Sequence, residues 1–264
     1  MNSSEAAWNP APQNLRLGDD EVHVWRASLN QPAAALAVFK QILSADELER
    51  AARFHFQTDR DHFVVARAVL RLILSSYLGI APEQLRFDFN AYGKPALAGA
   101  TAGSAALRFN LSHSRDLVIY GVARNRELGL DLEYVRDDFD TAQIAGQFFS
   151  LREVEALGAL PRGLQAEGFF RCWTRKEAYI KARGQGLSLP LTEFDVSLAP
   201  GEPAKLLSAS DPGEVSRWSL SEIAAAPGYM AAIAVEGSGW QLNCFQWPGE
   251  TYKLPPPYLL KLNA

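Results

Sequence analysis

Two cysteines, Cys172 and Cys244, and four histidines are the only thiol and imidazole groups in this chain of 264 residues. They form no C-x-x-C and no zinc spacing, which excludes a disulfide framework and argues against a zinc enzyme. No apolar run approaches the roughly 18 residues that a spanning helix needs. Cations are not in excess either: 26 Lys and Arg stand against 30 Asp and Glu, a net charge of -4. That leaves no global field to attract nucleic acid or an anionic membrane. Neither G-x-x-x-x-G-K-[ST] nor G-x-G-x-x-G occurs, so P-loop and dinucleotide-fold readings lack their phosphate cradles. The opening MNSSEAAWNPAPQNLRLGDD has no basic segment followed by an apolar stretch, so it reads as a loose leader over residues 1–18, not as a signal peptide. The expectation is a cytoplasmic protein with neither nucleic-acid nor membrane partners.

What is present is a globular composition, 48% hydrophobic and 21% charged, long enough for one large domain or two ordinary ones. EVHVWRASL (21–29) alternates like a strand. LSADELERAARFHF and DRDHFVVARAVLRLILSSYLG read as helices, the first opened by a capping box of Ser44 and Glu47, the second stopped by Gly79. LRFDF, LRFNLSHS, LVIYGVAR and GLDLEYV read as strands, with AYGKP as a turn. FFSLREVEAL and FFRCWTRKEAYIKARGQG are helical, and EFDVSL, RWSLSEI, YMAAIAV and WQLNCFQW are strands. Helices and antiparallel strands mix without a steady βαβ alternation, which predicts an α+β fold.

The two halves also resemble each other. VHVWR and LDLEY, SADELE and SLREVE, ARAVLR and TRKEAY, and RFDF and EFDV recur in one order at nearly one spacing, 106 to 108 residues. Such recurrence is a repeat signal. It predicts two similar subdomains from internal duplication, 19–126 and 127–264, with a ligand cleft between them.

Five segments carry chemistry. In GLDLEYV the leucines fall on one strand face and Asp131 and Glu133 on the other. Paired carboxylates suit Mg²⁺ with phosphate oxygens and water, although a solvated strand face reads the same way. In FFRCWTRKEAYIK, Phe170, Thr174, Glu177 and Lys181 line one helical face, beside a stripe of Phe169, Trp173, Lys176 and Ile180. A surface Glu177–Lys181 pair is the plain reading, but flanking aromatics argue against a fully solvated face. FNLSHS can aim hydroxyls and an imidazole at an anion. A catalytic Ser112–His113 pair is disfavoured, because adjacent strand residues face opposite ways. YGKP offers Lys94 on a stiff loop. Arg60, Arg67 and Arg71 share a helical face, as a solvated basic stripe or as phosphate ligands.

FNLSHS, GLDLE and FFRCWTRKEAYIK, in that order and downstream of YGKP, resemble the Sfp-type 4′-phosphopantetheinyl transferases from about Val22 to Val235. The resemblance implies two pseudo-two-fold-related α+β subdomains with coenzyme A bound between them. It implies Asp131, Glu133 and Glu177 as ligands of Mg²⁺, with Mn²⁺ as an alternative. Ser112 and His113 would meet the nucleotide end of coenzyme A, with His113 near the 3′-phosphate, and Lys94 and Pro95 would lie along the adenine and phosphates. Arg50 and Arg53 occupy the family's basic helix, and Arg60 or Arg67 could substitute for them. Phe63 stands where some members carry a small hydroxyl residue.

The reaction so implied is attack of a carrier-protein serine on the β-phosphate of coenzyme A, with adenosine 3′,5′-bisphosphate leaving. The nucleophile arrives on the partner, an acyl or peptidyl carrier of polyketide, nonribosomal peptide or fatty-acid synthesis. Glu177 would be the general base. Lys181 would serve the leaving phosphate, and Lys176 would bind phosphate or support Glu177. FFSLREVEAL with Arg152, and the following GALPRGL loop, would help dock the carrier. A monomer suffices, since duplication places the cleft within one chain. Two alternatives remain: another Mg²⁺-dependent phosphotransferase, or a non-catalytic module that binds coenzyme A or the carrier.

Overall fold

The computed structural model describes residues 8–12, 14–99 and 107–248. In chain order the elements are β1 (Asn9–Pro10), β2 (Glu21–Ser28), α1 (Ala33–Ile42), α2 (Ala45–Ala52), α3 (Gln57–Leu78), β3 (Phe87–Phe89), β4 (Pro95–Leu97), β5 (Leu107–Ser114) and β6 (Leu117–Arg124). There follow β7 (Leu128–Tyr134), α4 (Thr141–Phe148), α5 (Leu151–Ala159), α6 (Arg162–Arg183), β8 (Phe194–Val196), β9 (Leu206–Ala209), α7 (Gly213–Arg217), β10 (Trp218–Glu222), β11 (Tyr229–Glu236) and β12 (Gln241–Gln246). The expected α+β mixture is what is observed. A five-stranded sheet runs β1-β12-β2-β6-β5, a three-stranded sheet runs β10-β11-β7, and β3/β4 and β8/β9 form two small hairpins. Among the described residues no helix is long and apolar enough to cross a membrane.

The two larger sheets face each other across an apolar layer. Val22, Val24 and Ile119 of the first meet Leu128, Leu130 and Leu132 of β7 and Ile233 and Val235 of β11. The leucines of GLDLE therefore turn inward, as their alternation predicts. On its outer face the five-stranded sheet is covered by α3 and α1, and the three-stranded sheet by α6. Both long helices have 22 residues and end on a left-handed glycine, Gly79 at φ 66° and Gly184 at φ 64°.

Each long helix also anchors a buried cation on the glutamate of a capping box. In the first half Arg71 donates to Glu47 Oε2 at 2.7 Å, to the Pro82 and Leu85 carbonyls and to Ser44 Oγ. In the second, the Lys176 ammonium lies 2.7 Å from Glu153 Oε2 and donates to the Leu191 and Phe194 carbonyls. Arg71 and Lys176 thus make similar anchoring contacts 105 residues apart, whereas Arg67 and Arg175 bind different kinds of partner, Glu47 and Glu222. The basic stripe on α3 is no solvated face: Arg71 is 1% exposed, and Arg67 also pairs with Glu47.

Three further expectations change. The leader is partly built in: β1 pairs in parallel with β12, and the Trp8 ring lies under Arg26. Residues 1–7 and 13 of that leader lie outside the described residues. Strand β12 pairs in parallel with β2, so the chain returns to the first half's sheet near its end. Helices α1 and α4 are additional elements that the sequence patterns did not single out.

Gly129 explains how α6 comes to lie directly on β7. A Cβ there would stand 2.1 Å from the Ala182 nitrogen and 2.3 Å from the Ala178 carbonyl oxygen. Gly129→Ala is expected to push helix from strand and to lower stability by about 1–3 kcal/mol, measured by urea unfolding.

Buried His23 is a second handle on stability. The Trp25 indole donates to Tyr77 Oη at 2.9 Å, and the same oxygen shares a hydrogen bond with His23 Nδ1 at 2.8 Å. Burial lowers the His23 pKa, opposed by Glu21. A histidine held neutral in the fold stabilises fully above its unfolded pKa, and that stability is lost as pH falls through the folded value. Unfolding free energy is therefore expected to decline below about pH 6.5, with a shallower decline in His23→Gln, measured by denaturant titration across pH.

Candidate active site

A cleft of about 900 Å³ opens where α3 and β5 of the first half face β7 and α6 of the second. Asp131 and Glu133 reach it from β7, Ser112 and His113 from β5, and Trp173, Glu177 and Lys181 from α6. Trp173, Glu177 and Lys181 follow one another at every fourth residue, which places them on one helical face. Phe170 and Thr174, expected on that face, are instead buried in the core of the second half. Arg50, His62, Phe63 and Arg67 form the opposite wall, with Gly93 and Pro95 at the edge.

The electrostatics centre on Asp131. It is 4% exposed, and its Oδ1 accepts from the Lys181 ammonium at 2.6 Å and from Ser112 Oγ at 2.9 Å. Its Oδ2 is buried with no hydrogen-bond partner. A buried carboxylate oxygen without a donor is costly, by about 1–3 kcal/mol or more for a charged group. Burial raises the pKa of Glu177, and the Asp131 and Glu133 charges raise it further against the opposing Lys181. Burial and Asp131 likewise raise Glu133, opposed by Ser114, Lys181 and Arg136. Three carboxylates that repel one another around an unpartnered oxygen suit a hard divalent cation. Among the described residues, no three His, Cys, Asp or Glu side chains are drawn close enough to hold a metal as they stand. Lys181 supplies the positive charge at Asp131 in this arrangement.

His113 is open to the cleft, yet the surrounding walls displace enough water to lower its pKa, aided by the Lys181 and His62 charges. Arg50 stacks over the Phe63 ring.

Three expected site residues are placed elsewhere, and a fourth, Lys94, is engaged beside the cleft, in an adjoining groove that Glu177 and Lys181 also line. Lys176 is fully buried on Glu153, in the core of the second half, and does not line the cleft. Its position about 100° around the helix from α6's open stripe turns it inward. Lys94 donates to Glu127 Oε2 at 2.8 Å and to the carbonyls of Leu128 and Ala182, tying β7 to the end of α6. Arg60 donates to the Phe54 and His55 carbonyls, and Arg53 is an exposed C-cap of α2; neither lines the cleft. The sequence reading also passed over Ser114, which donates to Glu133 Oε2 at 3.0 Å, and Arg115, which stacks on Tyr134 beside the cleft. The alternation of Asn110, Ser112 and Ser114 along one strand was the available signal for the first of these.

Hard oxygen donors on one wall of a cleft, with arginines on the other, are chemically suited to a phosphorylated ligand. Comparison with known proteins makes that class specific. Residues 127–234 match the model of the 4′-phosphopantetheinyl transferase superfamily, and residues 23–124 match that of a 4′-phosphopantetheinyl transferase N-terminal region. The chain is 46% identical over 234 residues to 4′-phosphopantetheinyl transferase HetI of Nostoc sp., covering 89% of this chain and 95% of the relative. It is 31% identical to psf-1 of Bacillus pumilus, over 74% of this chain and 79% of that one. It is also 31% identical to Sfp of Bacillus subtilis, over 61% and 68% of the two chains. The chain belongs to the 4′-phosphopantetheinyl transferase family, as its motifs led one to expect, and is an enzyme of that activity.

Proposed function

We propose that this enzyme transfers 4′-phosphopantetheine from coenzyme A to a serine of an acyl or peptidyl carrier protein, releasing adenosine 3′,5′-bisphosphate. The observation that carries this reading is the grouping of Glu177, Asp131 and Lys181 on one cleft wall in a member of this family. The described residues of the cleft offer no activated nucleophile, which agrees with a nucleophile delivered by the partner.

Glu177 takes the proton of the carrier serine hydroxyl; its raised pKa makes it a stronger base than an ordinary glutamate. The serine oxygen forms a bond to the β-phosphorus, and the bond from that phosphorus to the bridging oxygen breaks. Lys181 neutralises the charge that collects on the departing bisphosphate. Asp131, Glu133 and Glu177 would hold Mg²⁺ or Mn²⁺, which when bound offsets the charge of the pyrophosphate. Arg50 and His113 suit the nucleotide phosphates on the opposite wall, where Arg67 is already paired with Glu47.

The cleft arises, on this reading, from internal duplication with a division near residues 126 and 127. Matching capping boxes, long helices and buried cations support it, with β12 as a strand exchanged into the first sheet. The carrier docks beside α5, where Leu151 is 83% exposed and Arg152 projects into solvent. An exposed apolar residue beside a cation fits an acidic carrier helix. One chain contains the whole cleft, so a monomer suffices.

The test is mass spectrometry of an apo carrier protein incubated with this enzyme, coenzyme A and Mg²⁺, with and without EDTA. A gain of about 340 Da that EDTA abolishes supports metal-dependent transfer. A gain that survives EDTA removes the metal from the mechanism, and no gain with any carrier type overturns the reaction.

A further inference from the structure

Strands β5 and β7 lie in different sheets, so no ladder of backbone hydrogen bonds joins them. Side chains at alternate positions of β5 join them instead. Asn110 Oδ1 accepts from the Leu130 amide at 3.0 Å. Ser112 Oγ donates to Asp131 Oδ1 at 2.9 Å. Ser114 Oγ donates to Glu133 Oε2 at 3.0 Å and accepts from the Tyr134 amide at 3.1 Å.

The direction of each hydrogen follows from the partners. An amide N–H can only donate, so Ser114 must send its own hydrogen to the carboxylate. The Lys181 ammonium, 3.0 Å from Ser112 Oγ, does the same for Ser112. Each serine therefore holds one oxygen of one carboxylate and leaves the second without that tether. For Asp131 the second oxygen is the buried one that lacks a partner.

We infer that Ser112 and Ser114 are positioning residues: each orients one carboxylate through a single oxygen and leaves the other for a divalent cation. The inference rests on reading Asp131 and Glu133 as cation ligands. It also gives the serines of FNLSHS a role apart from touching the nucleotide. Ser114 is the cleaner case, because it lines the neighbouring groove of about 330 Å³ and not the cleft itself. Groups that orient metal ligands typically account for 10–100-fold in metal affinity.

The experiment is calorimetric titration of MnCl₂ into the enzyme saturated with coenzyme A, without carrier protein, beside metal-free melting curves. Ser114→Ala is expected to weaken Mn²⁺ binding about 10–100-fold at nearly unchanged metal-free melting temperature, and Ser114→Thr to retain it. Asp131→Asn serves as the reference for a lost ligand. Unchanged Mn²⁺ affinity in Ser114→Ala, with Asp131→Asn defective, overturns the positioning role while the ligands stand. A large fall in melting temperature with no change in affinity also overturns it, since that is the mark of a structural residue. Equal Mn²⁺ uptake by the wild type and Asp131→Asn overturns the ligand reading, and the positioning role with it.

Discussion

Glu177→Gln is expected to reduce transfer to the carrier by about 10²–10⁴-fold while coenzyme A binding persists. The amide keeps the size and hydrogen-bonding reach of the carboxylate but cannot take a proton, so the serine hydroxyl arrives without a base. Glu177 lies at intermediate exposure on the cleft wall of α6, where burial and the Asp131 and Glu133 charges raise its pKa. Removing its charge relieves that repulsion, so stability should hold or rise slightly. Single-turnover transfer and coenzyme A titration on the same preparation separate the two effects. Equal loss of transfer and binding would favour a module that only holds coenzyme A. Undiminished transfer would remove Glu177 from the base role.

Lys176→Met is expected to act in the opposite way, destabilising the fold by about 3–5 kcal/mol with little change in turnover per folded molecule. Its ammonium is fully buried and donates to the Leu191 and Phe194 carbonyls while it pairs with Glu153. Removing the cation leaves Glu153 as a buried charge, although the Ser150 and Val196 amides still donate to it. Because isolated buried charge is the larger part of the penalty, Lys176→Met with Glu153→Leu should recover some stability. Urea unfolding of the single and double variants measures both effects. A fall in turnover at undiminished stability would return Lys176 to the site.

The contrast between these two neighbouring residues shows how far the motif could be read. W-T-R-K-E places Lys176 and Glu177 side by side, and a helical period alone cannot say which faces ligand and which faces core. Strand alternation was more decisive. In GLDLE it separated leucines from carboxylates, and the apolar layer between the sheets agrees with that separation. Capping boxes at Ser44 and Ser150 were legible because each depends on two residues three apart. The targets of Arg60 were not legible, because its guanidinium ends on backbone carbonyls that carry no residue identity, and the Lys94–Glu127 pair joins residues 33 apart with no local pattern.

The sequence by itself determined the α+β mixture, the family, and the presence of Asp131, Glu133, Glu177 and Lys181 as a chemically coherent set. These rest on residue type and local period, which are properties of the chain. Only the tertiary structure decided which cations are free to meet a ligand. Arg71 and Lys176 are consumed by Glu47 and Glu153, while Lys181 remains on Asp131 at the cleft. A charge is neutralised by whatever the fold brings within about 4 Å of it, and that neighbour is rarely near in sequence.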